Sequence, residues 1–353
     1  MTTVRRPGAI GWLRQNLFNT VWNSILTVLM LGLLWLTIPP LFDWAVTHAT
    51  LEGESRTACD GTGACWAMIR ARWSSFFYGR YPAPERWRVD LVALLLVVFA
   101  VPAMREGGRH QARWALALVG VFPVIAGVLL VGGVFGLRLV VTNDWGGLMV
   151  NVILAFVAVA ASLPLGIMLA LGRRSELPIV RAFSVGFIEL WRGVPLLTVL
   201  FMGMVMLPLF LPGGMTIDSL LRAMIVLTLF TSAYMAEVVR GGLQGVPRGQ
   251  AEAAYAMGMG YWQVQGLIVL PQALRLVIPA IVNTVIDLFK DTTLVTIVGL
   301  FDLLGVVNQS IKDQAWLGLA REGYAFSATV FFVCCLGMSL YSRQLERRLT
   351  RGR

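Results

Sequence analysis

Charge is what this 353-residue chain has least of: 14% of its residues are Asp, Glu, Lys or Arg, where a soluble domain carries about 25%. With 57% hydrophobic residues beside it, that scarcity excludes a water-exposed globule. Lysine is nearly missing. Neither Lys290 nor Lys312 completes a G-x-x-x-x-G-K-[ST] phosphate loop, so the chain by itself cannot hydrolyse ATP. The only histidines, His48 and His110, are predicted on opposite sides of a membrane. No Ser-His-Asp or paired-carboxylate arrangement appears, and an enzyme is not indicated. Cys59 and Cys65 have no second Cys pair and only His48 as a nearby imidazole, which argues against zinc. The net charge is +10, yet no basic segment is interleaved with exposed aromatics, so nucleic acid is not an expected partner. No short-period repeat is present.

What is there is hydrophobic length. Spans of about 20 apolar residues cross a bilayer core of about 30 Å as helices, because every backbone polar group must pair internally in lipid. Eight spans are predicted: Val21 to Phe42, stopping at Pro39-Pro40; Val89 to Met104; Trp114 to Leu137; Gly146 to Gly172; Val194 to Leu211; Leu220 to Val239; Val277 to Leu300; and Gly323 to Ser342. The first is too long, and too poor in small-residue cleavage signals, for a signal peptide. The fold class is an all-α polytopic membrane protein embedded in a lipid bilayer.

Arginines set the expected orientation. Arg5, Arg6, Arg14, Arg105, Arg109, Arg113, Arg173, Arg174, Arg181, Arg240, Arg248, Arg275 and the C-terminal cluster Arg343, Arg347, Arg348, Arg351 and Arg353 fall on one side. The short connections opposite hold few, such as Arg138 and Arg222. Both termini and the segment after span six are therefore expected in the cytoplasm. Residues 1–140 hold three spans and a large outer loop at about 45–88. Residues 141–345 hold five spans with short connections, including a cytoplasmic loop at 241–275, and 346–353 form a tail. In the outer loop an oxidising location permits a disulfide between Cys59 and Cys65; two free thiols, or a crossover with a partner chain, are the alternatives. Cys334 and Cys335 read as small core residues.

The polar interlude Glu252 to Pro271, EAAYAMGMGYWQVQGLIVLP, lies between two spans and is expected in water. Gln250 to Met257 is strongly helix-forming; Gly258 and Gly260 break it, and a second helical stretch from Trp262 to Leu270 is expected to end at Pro271. Two short helices about a glycine corner make a compact knob that suits a groove on a soluble subunit. The bland alternative is an ordinary helix–loop–helix connector.

The spacing of Glu252, Ala253, Ala254, Gly258, Ile268, Leu270 and Pro271 resembles the EAA loop of ABC-importer permeases. The likeness extends to WRGVPLLTVLF (Trp191 to Phe201), where Val194 replaces the usual Thr. It extends also to SAYMAEVVRGGLQGVPRGQ (Ser232 to Gln250) and LFKDTTLVTIVG (Leu288 to Gly299). These resemble segments of the polar amino-acid permeases, and the long N-terminal part resembles the M-type permease subunit of the general L-amino-acid system. The resemblance implies a five-helix type I importer core in the inner membrane, with the EAA loop docking on a nucleotide-binding ATPase subunit. It implies a homologous Q-type second permease and a periplasmic amino-acid-binding protein as further partners. This chain would bind no cofactor, ATP and Mg being used by the partner ATPase. An ion-gradient-driven secondary transporter is the alternative; it should show inverted repeats and paired broken helices, whereas only span seven reads as broken.

Lys290 and Asp291 fall near the middle of span seven, with Asp287 one turn before. Each costs about 2.5–3.5 kcal/mol there if unpaired. Two readings stand. Lys290 pairs with Asp287 at three-residue spacing, or a broken helix presents charge to a zwitterionic amino acid, Asp291 meeting its ammonium while Thr292 and Thr293 add hydroxyls. Glu189–Arg192 and Glu237–Arg240 read as structural pairs joining the knob to neighbouring helices. Asn151 and Asn283 read as interhelical hydrogen-bonding residues. Scattered tryptophans such as Trp145 and Trp191 fit an interfacial belt.

Overall fold

The computed structural model describes residues 8–59, 61–105, 110–210, 212 and 217–351, the last four by backbone alone. Arg5, Arg6, Arg109 and Arg353 of the charge count, and Leu211 at the expected end of span five, lie outside the described residues. Those described form helices and turns, with two isolated bridges, Thr50 with Cys65 and Gly147 with Asp302. Among the described residues, seven helices are long and apolar enough to cross a membrane, or eight if one bent pair counts as a single span. The chain divides into two compact units, residues 1–71 with 312–322 and residues 72–311 with 323–353.

The first unit opens with α1 (Ala9–Asn16) and α2 (Val21–Phe42). The Thr20 hydroxyl caps α2 by accepting from the Asn23 amide at 3.2 Å. The helix does not stop at Pro39-Pro40 as expected; it passes through them and runs on as a π turn, Asp43–Thr47. Each proline removes one N–H and crowds the carbonyl four residues back. In an apolar setting the remaining backbone groups still pair best within the helix. Beyond it the Thr50 amide donates to the Ala64 carbonyl at 2.8 Å and the Ala67 amide to the Thr50 carbonyl at 3.1 Å, at the start of α3 (Ala67–Ala71). Cys59 and Cys65 face one another in this turn with Cα atoms 5.8 Å apart, a separation a disulfide bridges. Arg56 donates to the Leu317 carbonyl at 2.6 Å, tying the 312–322 segment to the turn.

The second unit begins with α4 (Trp73–Tyr78), followed by α5 (Arg86–Met104) and α6 (Gln111–Val131), which pack side by side. The long helix α7 (Gly147–Arg173) follows, then α8 (Pro178–Gly193), α9 (Leu196–Phe201) and α10 (Leu207–Phe210). α8 is an additional helix, and the chain turns by 103° between it and the α9–α10 segment. Pro195 explains the corner: the residue before a proline is forced out of the helical region, and Val194 is extended at φ −111°, ψ 135°. The sharp bend therefore falls in span five, whereas span seven runs on from Tyr261 to Val298 with no comparable bend.

α11 (Ser219–Gly245) is the most buried of the candidate spans and packs along α7. Small residues allow this. A Cβ on Gly166 would stand 2.7 Å from the Met235 Cβ, and one on Gly242 would stand 2.5 Å from the Ala273 carbonyl oxygen. Between helices in lipid such close approach supplies the dispersion contact that hydrophobic transfer cannot. Leu154, Ala158, Leu200 and Leu227 lie at the centre of this core, and Phe122 of α6 meets Phe156 of α7 edge-to-face at 5.1 Å. The α5–α6 pair, grouped by composition with the first 140 residues, therefore lies in the same compact unit as α7 and α11. α12 (Arg248–Ala256), α13 (Tyr261–Gln263), α14 (Leu270–Asp291), α15 (Leu303–Ser310) and α16 (Ala320–Arg351) complete the chain.

Candidate coupling knob and the polar sites of the helix bundle

α12 ends where Gly258 takes φ +80°, a conformation that costs an L side chain about 1–2 kcal/mol. The Gly258 amide donates to the Tyr255 carbonyl at 2.9 Å and the Met259 amide to that of Ala254 at 3.2 Å, closing the corner. At the start of α13 the Gln263 side chain accepts from the Gly260 amide at 3.0 Å. One side of this knob is anchored: Ala254, Val264 and Val269 are buried with Ala170 of α7, Ile188 of α8 and Ala236, Val239 and Leu243 of α11. The other side is open. Glu252, Ala253 and Gly258 are exposed, as are the large apolar side chains of Met257 and Trp262, each 74% accessible.

The second helix of the knob does not end at Pro271. α13 widens into a π turn, Val264–Val269, and continues without a stop into α14, with Pro271 in the first turn of that helix. Pro271 has no N–H to give and its ring crowds the preceding turn. A wider turn relieves that crowding without ending the helix. Ile268 and Leu270 are half-buried along this stretch and Pro271 is exposed.

Behind the knob lies a charged network that joins three helices. Arg173 of α7 meets Glu237 of α11 at 2.9 Å and Glu189 of α8 at 3.1 Å. Arg240 meets Glu237 at 2.8 Å and Arg192 approaches it at 3.6 Å. Glu237 and Arg240 thus pair as expected. Glu189 takes Arg173 of α7, while Arg192 turns to Glu237 of α11. One carboxylate facing three guanidiniums fixes where α7, α8 and α11 end relative to one another, and these are the helices on which Ala254 and Val264 rest.

At the far part of span seven, α14 ends at Asp291 and the chain continues as a 3₁₀ helix, Thr292–Val298, to Gly299 at φ +89°. Because α14 begins at Leu270, Lys290 and Asp291 sit at the end of the α-helix rather than near its middle. The four expected path residues are not one lining. The Lys290 ammonium is 2.9 Å from Asp287, both exposed, which is the pairing the spacing allowed. Asp291 is half-buried. Thr293 donates to the Lys290 carbonyl at 2.8 Å. Thr292 is buried and committed to the core, donating to the Phe289 carbonyl at 2.7 Å and accepting from the Asn151 side chain at 2.9 Å.

That contact opens onto a knot that the sequence reading did not reveal. Asn151 also donates to Asp302 at 3.1 Å, and its carbonyl oxygen accepts from the Leu303 amide at 3.0 Å. Asp302 caps α15 by accepting from the Gly305 and Leu304 amides at 2.9 and 3.3 Å, and takes a further bond from the Thr296 hydroxyl. Burial pushes the Asp302 carboxyl above the usual range, and these donors pull it back only in part. The signal available in the sequence was Asp302 directly before an apolar helical run, the mark of an N-cap.

A helical bundle with small-residue interfaces and a glycine-cornered knob at one end defines an ABC-importer type permease. Residues 162–351 match the family described as binding-protein-dependent transport system inner membrane component, and the chain belongs to that family. It is 51% identical over 345 residues to the inner membrane amino-acid ABC transporter permease protein YhdY of Escherichia coli, covering 98% of this chain and 94% of the relative. It is 39% identical over 415 residues to the glutamate/glutamine/aspartate/asparagine transport system permease protein BztC of Rhodobacter capsulatus, covering 99% and 95%. Among solved structures, an amino acid ABC transporter crystallised with histidines matches at 31% identity and a TM-score of 0.50, over 57% of this chain and 92% of the other. The protein is a multi-pass permease subunit of an amino-acid ABC transport system.

Proposed function

We propose that this chain carries L-amino acids inward as one half of a translocation path, a homologous permease of the Q type forming the other half. A nucleotide-binding subunit docks on the knob from the cytoplasm and uses ATP and Mg, while this chain binds neither. A periplasmic binding protein delivers the substrate. The observation that carries the reading is the two-sided knob: Ala254 and Val264 buried against α7, α8 and α11, with Glu252, Ala253 and Gly258 exposed. A partner that grips the open side moves the helices fastened to the other. The chemistry is mechanical, with no bond made or broken in this chain. The ion-gradient alternative calls for paired broken helices; among the described residues one sharply bent pair is present, at Val194, and family membership favours ATP coupling.

Reconstitution of the chain with its ATPase, second permease and binding protein tests this. Glu252→Lys and Gly258→Asp, which each change the charge of the open face, should abolish ATP-dependent amino-acid uptake by preventing docking. Uptake by the wild-type chain without ATP would reject the reading.

Asp291, half-buried where the α-helix gives way, is proposed to meet the ammonium group of the passing amino acid. Lys290 and Thr293 flank it, while Thr292 holds the helix in place. Asp291→Asn should remove uptake with the complex still assembled; unchanged transport would exclude the carboxylate from the path. The charge pattern supports both termini in the cytoplasm and the 45–88 loop outside, where Cys59 and Cys65 would be oxidised to a disulfide.

A further inference from the structure

Within the second unit, a cavity of about 630 Å³ lies between the α5–α6 pair and helices α7 and α11. Most of its wall is apolar, with Val97, Phe122, Phe156 and Met224 among the lining. One end differs. There Asp90 accepts from the Tyr78 hydroxyl at 2.7 Å. Beside it Asp218 takes the Thr142 hydroxyl and accepts from the Leu221 amide at 3.1 Å. Trp145, only 7% exposed, lines the same end, and its indole N–H is buried without an acceptor among the described residues. That nitrogen has almost no accessible surface, so the ring meets the cavity by its carbon faces and the two carboxylates are the polar groups an occupant reaches.

We propose that the cavity holds one acyl chain of a membrane phospholipid bearing an amine headgroup, whose ammonium meets Asp90 and Asp218 at the polar end. The volume lies within the roughly 300–1,000 Å³ of small-molecule sites. Along α7 the cavity runs from Leu148 to Val157, about 14 Å at the helical rise, or about half of a bilayer core. That is the depth of one leaflet. A chain already in lipid gains no hydrophobic transfer energy by entering, so selection rests on the polar end. Two carboxylates line it and no basic side chain does, which complements an ammonium group. Arg86, its guanidinium 5.4 Å from the Tyr78 ring, stands close by as a counter-charge for the phosphate.

The test is retention of lipid by the full chain, reconstituted in vesicles of equal phosphatidylethanolamine and phosphatidylglycerol, re-extracted in mild detergent and weighed by native mass spectrometry. The wild type should keep one phospholipid per chain, several-fold enriched in phosphatidylethanolamine. Asp90→Asn should keep a lipid but lose the enrichment. Gly127→Phe should lose the lipid, since Gly127 lines the cavity and a Cβ there meets nothing within 4 Å. Should that variant fail to fold, Ala126→Leu obstructs the same wall with a smaller change. Equal retention of the two lipids by the wild type overturns the proposal. So does undiminished retention in a folded cavity-filling variant, or a wild-type chain that keeps no lipid.

Discussion

Asp302 is a single residue on which three elements depend. It caps α15, receives Thr296 from the 3₁₀ helix and receives Asn151 from α7. Replacement by Asn puts an amide N–H where at least one donor now points, so Asp302→Asn should lower stability by about 1–3 kcal/mol. The pH dependence has a definite sign. Burial raises the folded-state pKa, so between the ordinary carboxylate value and the raised one the folded chain holds the proton that the unfolded chain has released. Stability falls as pH rises through that window. The gap between wild type and Asp302→Asn should therefore be widest in acid and narrow as pH rises, measurable by thermal denaturation in detergent at a series of pH values. Sequence made Asn151 legible as a hydrogen-bonding residue within a span, but its partners are 141 and 151 residues away. No local pattern carries such a separation. Arg173 was hidden differently: read as one more charge marking a membrane face, it turned out to hold Glu237 and Glu189 together.

Among the elements, the knob was the most legible, because glycine and helix propensity act locally. Gly258 is needed for its backbone and not for space, since a Cβ there would meet nothing within 4 Å. Gly258→Val should therefore disrupt the corner and sharply reduce ATP-dependent uptake. Gly258→Asn, which tolerates the left-handed region, should retain most of it. Equal loss in both would mean that the side chain, and not the backbone, matters. The helix ends were less legible. Prolines at 39, 40 and 271 read as stops, yet each lies within a continuing helical segment. Those local penalties are real, but apolar surroundings leave the backbone few other partners. Helix α8 was missed because its mixed face, with Ile188 buried and Ile179 and Phe183 exposed, has too little unbroken hydrophobic length to register as a span.

For the whole molecule, hydrophobic length alone predicted the number of crossings well, and seven or eight candidate spans are found. Their orientation rests on arginine placement. Membrane-impermeant thiol labelling tests it: Glu252→Cys should react only in inside-out vesicles, and Glu54→Cys only in right-side-out ones. The reverse pattern would turn the proposed transport cycle around. The π turn at Val264–Val269 matters on this scale too. One extra residue in a helical turn rotates everything beyond it by about 100° about the axis. The second helix of the knob and the span beyond it, though continuous, are thus set out of phase by a fixed angle. A single-residue deletion in this turn, far from Asp291 and touching no charge, would face that carboxylate in a different direction across the bundle.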